Sequence, residues 1–156
     1  DLRLVYAVIK TITDLERIGD EAHKIAKMAG QLSGQERIHE HMAETQHLSR
    51  HVSKMVRDSL DAFARMDAES ALAVVREDVT IDREYEALMR QCITYMMEEP
   101  RTIRRVIDLI WCVRALERIG DHAKNIAEYV IYFVKGKDVR HSSLEDMERE
   151  VLRQDD

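Results

Sequence analysis

Apolar residues recur at steps of three and four along most of the chain, which predicts amphipathic helices rather than strands. A first helix is predicted over residues 2–29, with Gly30 placed as its C-cap. Ser33 followed by Glu36 in "SGQE" reads as a capping box opening a second helix over 34–66. Its apolar line runs Ile38, Met42, Leu48, Val52, Met55/Val56, Leu60 and Phe63. "MDAES" interrupts it, and Asp67 is suited to cap a third helix over 68–98. That helix carries Leu72, Val75, Val79, then Asp82, then Tyr85, Leu88/Met89, Cys92 and Met96. Pro100 fits the first turn of a fourth helix that continues to about 134 and stops at Gly136. A second capping-box pattern, "SSLE" from Ser142 to Glu145, marks a possible short helix in the tail.

The first and fourth helices are copies. At an offset of 101, Arg3, Val5, Ile9, the hexapeptide "LERIGD" (15–20), Ala22, Ile25 and Ala26 recur as Arg104, Val106, Ile110, "LERIGD" (116–121), Ala123, Ile126 and Ala127. Six consecutive identities argue for a duplicated unit rather than two helices converging on one amphipathic pattern. The predicted fold is therefore all-α: an antiparallel three-helix bundle preceded by the last helix of a preceding homologous bundle. In residue terms, 1–30 is the end of an incomplete first repeat, 33–136 a complete second repeat, and 137–156 a tail. Shifting Ser33 back by 101 gives position −68, so roughly 70 residues are expected upstream. The apolar face of the first helix must then dock on the intact bundle, meet another chain, or remain partly exposed.

Carboxylates lie on or beside these buried faces. Glu16/Asp20 and Glu117/Asp121 are spaced i, i+4, as are Asp78 and Asp82 in "EDVTIDRE". The midpoint of 82 and 117 is 99.5, and so is that of 78 and 121. A tight turn at Glu99–Pro100 therefore sets Asp82 level with Glu117, and Asp78 with Asp121. Four carboxylates on one patch repel unless a cation joins them. An all-oxygen set suits Mg, Mn, Ca or Fe, with Zn also possible. Gly120, within the second hexapeptide, suggests that backbone or an ion needs room there. The plainer reading is a salt-bridge ladder, with Arg17–Glu21 and Asp20–Lys24 at helical spacing and Asp78 pairing with Arg57.

Composition narrows the function. The formal charge of −6 argues against nucleic acid as the main partner. No run of uncharged residues reaches the roughly 20 needed to span a bilayer. Two cysteines, Cys92 and Cys112, fall about five residues out of level across the hairpin, so no disulfide is expected between them. No Gly-rich phosphate loop occurs, and no nucleophile–base pair stands out. A di-iron carboxylate oxidase of the ferritin-like kind needs Glu-x-x-His on two helices. Here Glu36-x-x-His39 and Glu44-x-x-His47 share one helix, and His41 and His51 flank its apolar line as surface or boundary residues. A metal-free helical scaffold is the remaining alternative.

The stretches "LERIGDEAHKIA" (15–26) and "ALERIGDHAKNIAEYVIYFVKGKDVRH" (115–141), with "DVTIDREYEAL" (78–88), resemble the PhoU family of phosphate-regulon regulators. The resemblance implies two three-helix bundles whose paired acidic motifs bind metal clusters. Those motifs map to Asp78, Asp82, Glu117 and Asp121, and to Glu16 and Asp20. It also implies a non-enzymatic negative regulator of the phosphate-starvation response. Such a protein is expected to be cytoplasmic and often dimeric. It would reach the membrane only through the Pst transporter ATPase subunit and the PhoR sensor kinase. The acidic partner of Glu16/Asp20 would lie upstream of this chain, leaving that half-site short of ligands.

Overall fold

The computed structural model describes residues 1–34 and 39–153. Among them the regular elements are α1 (Leu2–Leu32), α2 (His39–Arg65), α3 (Ala68–Glu98), a 3-10 turn (Pro100–Thr102), α4 (Ile103–Lys135) and α5 (Leu144–Leu152). The fold is all-α. Helices α2, α3 and α4 pack on one another as a bundle, and α1 lies along α4, touching no other described helix. Arg118 meets Glu21, His122 meets Asp14 and Tyr132 meets Tyr6, so α1 and α4 run antiparallel.

Helix α4 is the axis of the molecule because it packs against α1, α2 and α3. Val106, Val113, Ala123, Ile126, Ala127, Val130 and Ile131 are fully buried. All of these except Ile126 meet Leu48, Val52 and Met55 of α2 and Leu72, Val75, Ile81, Leu88 and Cys92 of α3 in one core. Both cysteines are free and buried. The short α5 adds Met147 and Val151 to this core, with Arg76–Glu148 (2.8 Å) and Lys137–Glu150 (3.2 Å) at its edge.

The helix ends follow local chemistry. Asp67 caps α3, its carboxylate accepting from the Ser70 N–H, and Gly136 ends α4 in the left-handed region at φ 72. Pro100 opens the 3-10 turn that leads into α4. Gly30 is not a cap. Helix α1 continues through Leu32, and Ser33 closes it with its hydroxyl donating to the Gly30 carbonyl. The cap of α5 is Ser143 rather than Ser142, its hydroxyl accepting from the Asp146 N–H. The Ser33–Glu36 capping box lies partly outside the described residues.

The buried line of α3 keeps Leu72, Val75, Leu88 and Cys92 as expected but is shifted by one residue in its middle. Val79 and Asp82 are exposed, whereas Asp78 and Ile81 are buried. The acid that interrupts the apolar face is thus Asp78. Gly120 faces Ile81, and a Cβ added there would meet the Ile81 Cγ2 at 3.7 Å, an ordinary contact. Its neighbour is an apolar methyl, and no backbone occupies the space. Gly120→Ala should therefore stabilise the protein by roughly 0.5–1 kcal/mol through reduced backbone entropy of the unfolded chain. Urea denaturation reads this directly, and a fall in midpoint would contradict the packing.

Candidate metal centre

The α3–α4 hairpin brings the expected acids together. The turn at Pro100–Thr102 is tight, with the Thr102 hydroxyl donating to the Glu99 carbonyl. One carboxylate oxygen each from Asp78, Asp82 and Asp121 lies within 4.8 Å of the others. Glu117 stands beside this trio and shares a side-chain hydrogen bond with Asp121. The four acids occupy one patch, but three converge and the fourth supports the third.

Their electrostatics are those of a site that lacks positive charge. Burial pushes Asp78 up to about 6, with the Asp82 charge adding to it and Lys124 opposing. Partial desolvation and the hydrogen bond with Glu117 push Asp121 up to about 7. Asp82, though exposed, is raised by partial desolvation at the patch, against Lys124. The Lys124 ammonium stands 3.5 Å from the Asp78 Oδ2, so the ion-pair partner of Asp78 is Lys124 rather than Arg57. The other oxygen, Asp78 Oδ1, is buried with no hydrogen-bond partner. Asp78 is only 4% exposed. A buried acceptor left unmatched costs about 1–3 kcal/mol, and a hard cation bridging Asp78, Asp82 and Asp121 would remove that penalty. The residues present therefore fit an oxygen-ligated metal, and ion pairing with Lys124 covers only part of the need.

Glu16 and Asp20 behave differently. Both are exposed on α1 and line an open groove with Arg17, His23 and Arg118. No second acidic pair faces them among the described residues. The nearby ion pairs are also not those expected, since Glu21 binds Lys24 at 3.0 Å and Arg118 at 3.8 Å.

Several residues were missed from sequence. Glu128 is buried on α4, and burial, opposed by Lys124 and reinforced by Asp78, raises it to about 7. A lone acid inside the apolar run "IAEYVIYF" was the available signal. Asp14, 5% exposed, accepts hydrogen bonds from His122 Nδ1 (2.7 Å), Asn125 Nδ2 (3.1 Å) and the Tyr129 hydroxyl (2.7 Å). It stands one residue before the first "LERIGD", where the second copy has Ala115. That departure within the repeat marked a contact peculiar to α1.

Comparison with known proteins agrees with this architecture. A PhoU domain is matched over residues 45–130. The phosphate-specific transport system accessory protein PhoU homolog of Pseudomonas aeruginosa is 54% identical over 151 residues, covering 97% of this chain and 62% of that protein. The phosphate-specific transport system accessory protein PhoU of Escherichia coli K12 is 46% identical over 150 residues, covering 96% and 61%. The chain thus spans about 60% of the length of these relatives. The crystal structure of PhoU from Pseudomonas aeruginosa superposes with a TM-score of 0.85 at 53% identity, covering 88% of this chain and 66% of that one. That of the phosphate transport system regulatory protein PhoU from Streptococcus pneumoniae gives 0.80 at 30% identity, covering 89% and 65%. Among the described residues, no helix is long and apolar enough to cross a membrane. The chain belongs to the PhoU family.

Proposed function

We propose that this chain is the greater part of a non-enzymatic, metal-binding helical adaptor that holds the phosphate-starvation response off when phosphate is plentiful. The observation that carries the reading is its 54% identity, over 97% of its length, to a phosphate-specific transport accessory protein. On this reading it works with the Pst transporter ATPase subunit and the PhoR sensor kinase. It acts in the cytoplasm, at the membrane only through those partners, and as a homodimer. Asp78, Asp82 and Asp121 would hold Fe, Mn, Mg or Zn, with Glu117 positioned to join them. The orphaned Asp78 Oδ1 supports that ligand set.

The chain also carries the end of a first repeat. On α1, Val5, Ile9 and Ile12 are 52%, 58% and 59% exposed. Their counterparts on α4 at the offset of 101 are Val106, Ile110 and Val113, which pack into the bundle core. The face of α1 left bare is the face that α4 buries against α2 and α3. A helical hairpin equivalent to α2–α3 covers it in the complete molecule, supplying acids opposite Glu16 and Asp20. A metal-free scaffold is the second reading, favoured by the Lys124–Asp78 pair.

Two measurements test the proposal. Expressed in a bacterium lacking its own PhoU, the protein should silence a phosphate-starvation reporter in phosphate-rich medium. A reporter that stays on overturns the regulatory reading. Elemental analysis of the purified protein should find metal that an Asp78→Ala/Glu117→Ala variant lacks. Equal metal in both would remove the assigned site.

A further inference from the structure

A second cluster of ligand-type side chains lies away from the carboxylate patch, between α2 and α3. His47 and His51 stand one turn apart on α2, so both imidazoles project from one face. Glu84 of α3 meets that face. The His51 Nδ1 is 3.0 Å from the Glu84 Oε1, and the His47 Nε2 is 3.6 Å from the same oxygen. One ligand atom from each of the three residues lies within 4.8 Å of the others. Two ligands held at about 2.0–2.1 Å on a tetrahedral zinc ion are about 3.3–3.4 Å apart. The two measured separations bracket that edge.

The surroundings match a metal site in two further respects. The His51 Nε2 lies 2.7 Å from the Oε2 of Glu77, two turns before Glu84 on the same face of α3. With Nε2–H donated to Glu77, the Nδ1 lone pair points at Glu84, where only a proton or a metal ion can stand between the two acceptors. A histidine ligand whose other ring nitrogen donates to a carboxylate is the usual arrangement around protein-bound zinc. The cluster also has a way in. His47 is largely exposed, and together with Glu44 and Glu84 it lines a cleft of about 360 Å3. Glu44 is thus placed on the open side, where a fourth ligand or a water is needed.

We propose that His47, His51 and Glu84 form a zinc site, oriented by Glu77, that clasps α2 to α3 independently of the carboxylate centre. Two imidazoles and one carboxylate prefer Zn2+ to Mg2+ or Ca2+, which take oxygen ligands. The ion takes the place of the proton between Nδ1 and Glu84, and that proton passes to solvent. The site joins two helices of the intact bundle, so it needs no residue from another chain.

Zinc titration against a chromogenic chelator tests this with three proteins. An Asp78→Asn/Asp121→Asn variant removes the carboxylate centre and should still bind one Zn2+ per chain. In that background His47→Ala, a change at an exposed position that leaves the fold intact, should weaken binding at least 10-fold. Glu77→Gln should weaken it by about 10–100-fold through the lost orientation of His51. Bound Co2+ should give the visible spectrum of a site with nitrogen ligands, which His47→Ala abolishes. Zinc binding that vanishes with the carboxylates, or that is indifferent to His47 and Glu77, overturns the proposal. Metal lost from the carboxylate centre while this site stays loaded leaves it standing, so failure of the two sites can be told apart.

Discussion

Replacing Asp14 by Ala should destabilise the protein by roughly 3–5 kcal/mol, the range expected when one partner of a buried charged network is removed. Asp14 is buried between α1 and α4 and accepts three hydrogen bonds from α4 alone. Its removal leaves the Tyr129 hydroxyl and the His122 N–H facing a cavity without an acceptor. Ala7 is the only fully buried apolar residue of α1, with Ile18 and Ile25 packed partly buried against the core, and the rest of its buried set is Thr11, Asp14 and Glu21. The edge-to-face contacts of Tyr6 with Tyr129 and Tyr132 add a smaller amount. The polar network fixes the register of α1 alongside these apolar contacts. Urea denaturation with a double-mutant cycle against Tyr129→Phe measures it, with an expected coupling above about 1 kcal/mol. A loss under 1 kcal/mol on Asp14→Ala would mean that α1 is held by something other than this network. The same helix carries Glu16 and Asp20, so the anchor also sets where that half-site stands.

How far this was legible beforehand depended on the kind of interaction. Helix α3 was placed at its observed bounds because a capping Asp67 and a following Pro100 punctuate it on both sides. The register of Asp78 against Asp121 followed from equal helical rise on either side of a tight turn. The assignment of the buried acid did not follow. Period alone places Val79 and Asp82 on the same stripe as Asp78, within the roughly 100° apolar arc of a helix. Which one is covered depends on the crossing angle with α4, a tertiary property. The misplaced Gly30 cap has a related cause, since a glycine tolerates the helix when no downstream residue stops it, and Ser33 was competent to close the helix three residues later. Asp14, Glu128 and the His51 cluster share another feature. Each is polar and partnered across helices by residues 26 to 115 positions away, or buried by them, and spacing along one helix carries no record of that.

Stripped of metal, the protein should lose stability as the pH rises from about 5 to about 8, opposite to the trend expected of ordinary salt-bridged acids. Asp78 and Glu128 have folded-state values near 6 and 7, raised first by burial. In the unfolded chain both return to about 4. Between those limits the folded protein holds more protons than the unfolded one, so stability falls with each step in pH. The contribution is fully present below about pH 4 and is gone by about pH 8. For buried Asp78, a rise of about two pKa units corresponds to on the order of 3 kcal/mol. Asp121 moves in the same direction, but it is exposed and solvent screens its share. Asp78→Asn should consequently raise the melting temperature of the metal-free protein at pH 8, because the amide carries no buried charge. The same substitution should abolish the stabilisation that Mn2+ gives the parent, since metal binding requires the ionised carboxylate. A residue whose removal strengthens the fold while erasing ligand-linked stability is held in place by its ligand and not by packing. Thermal melts of parent and variant at pH 5 and pH 8, with and without Mn2+, give all the comparisons. A parent that grows more stable across that window, or a variant that still gains from Mn2+, would show that Asp78 is neutralised by Lys124 and that the acids are a scaffold feature.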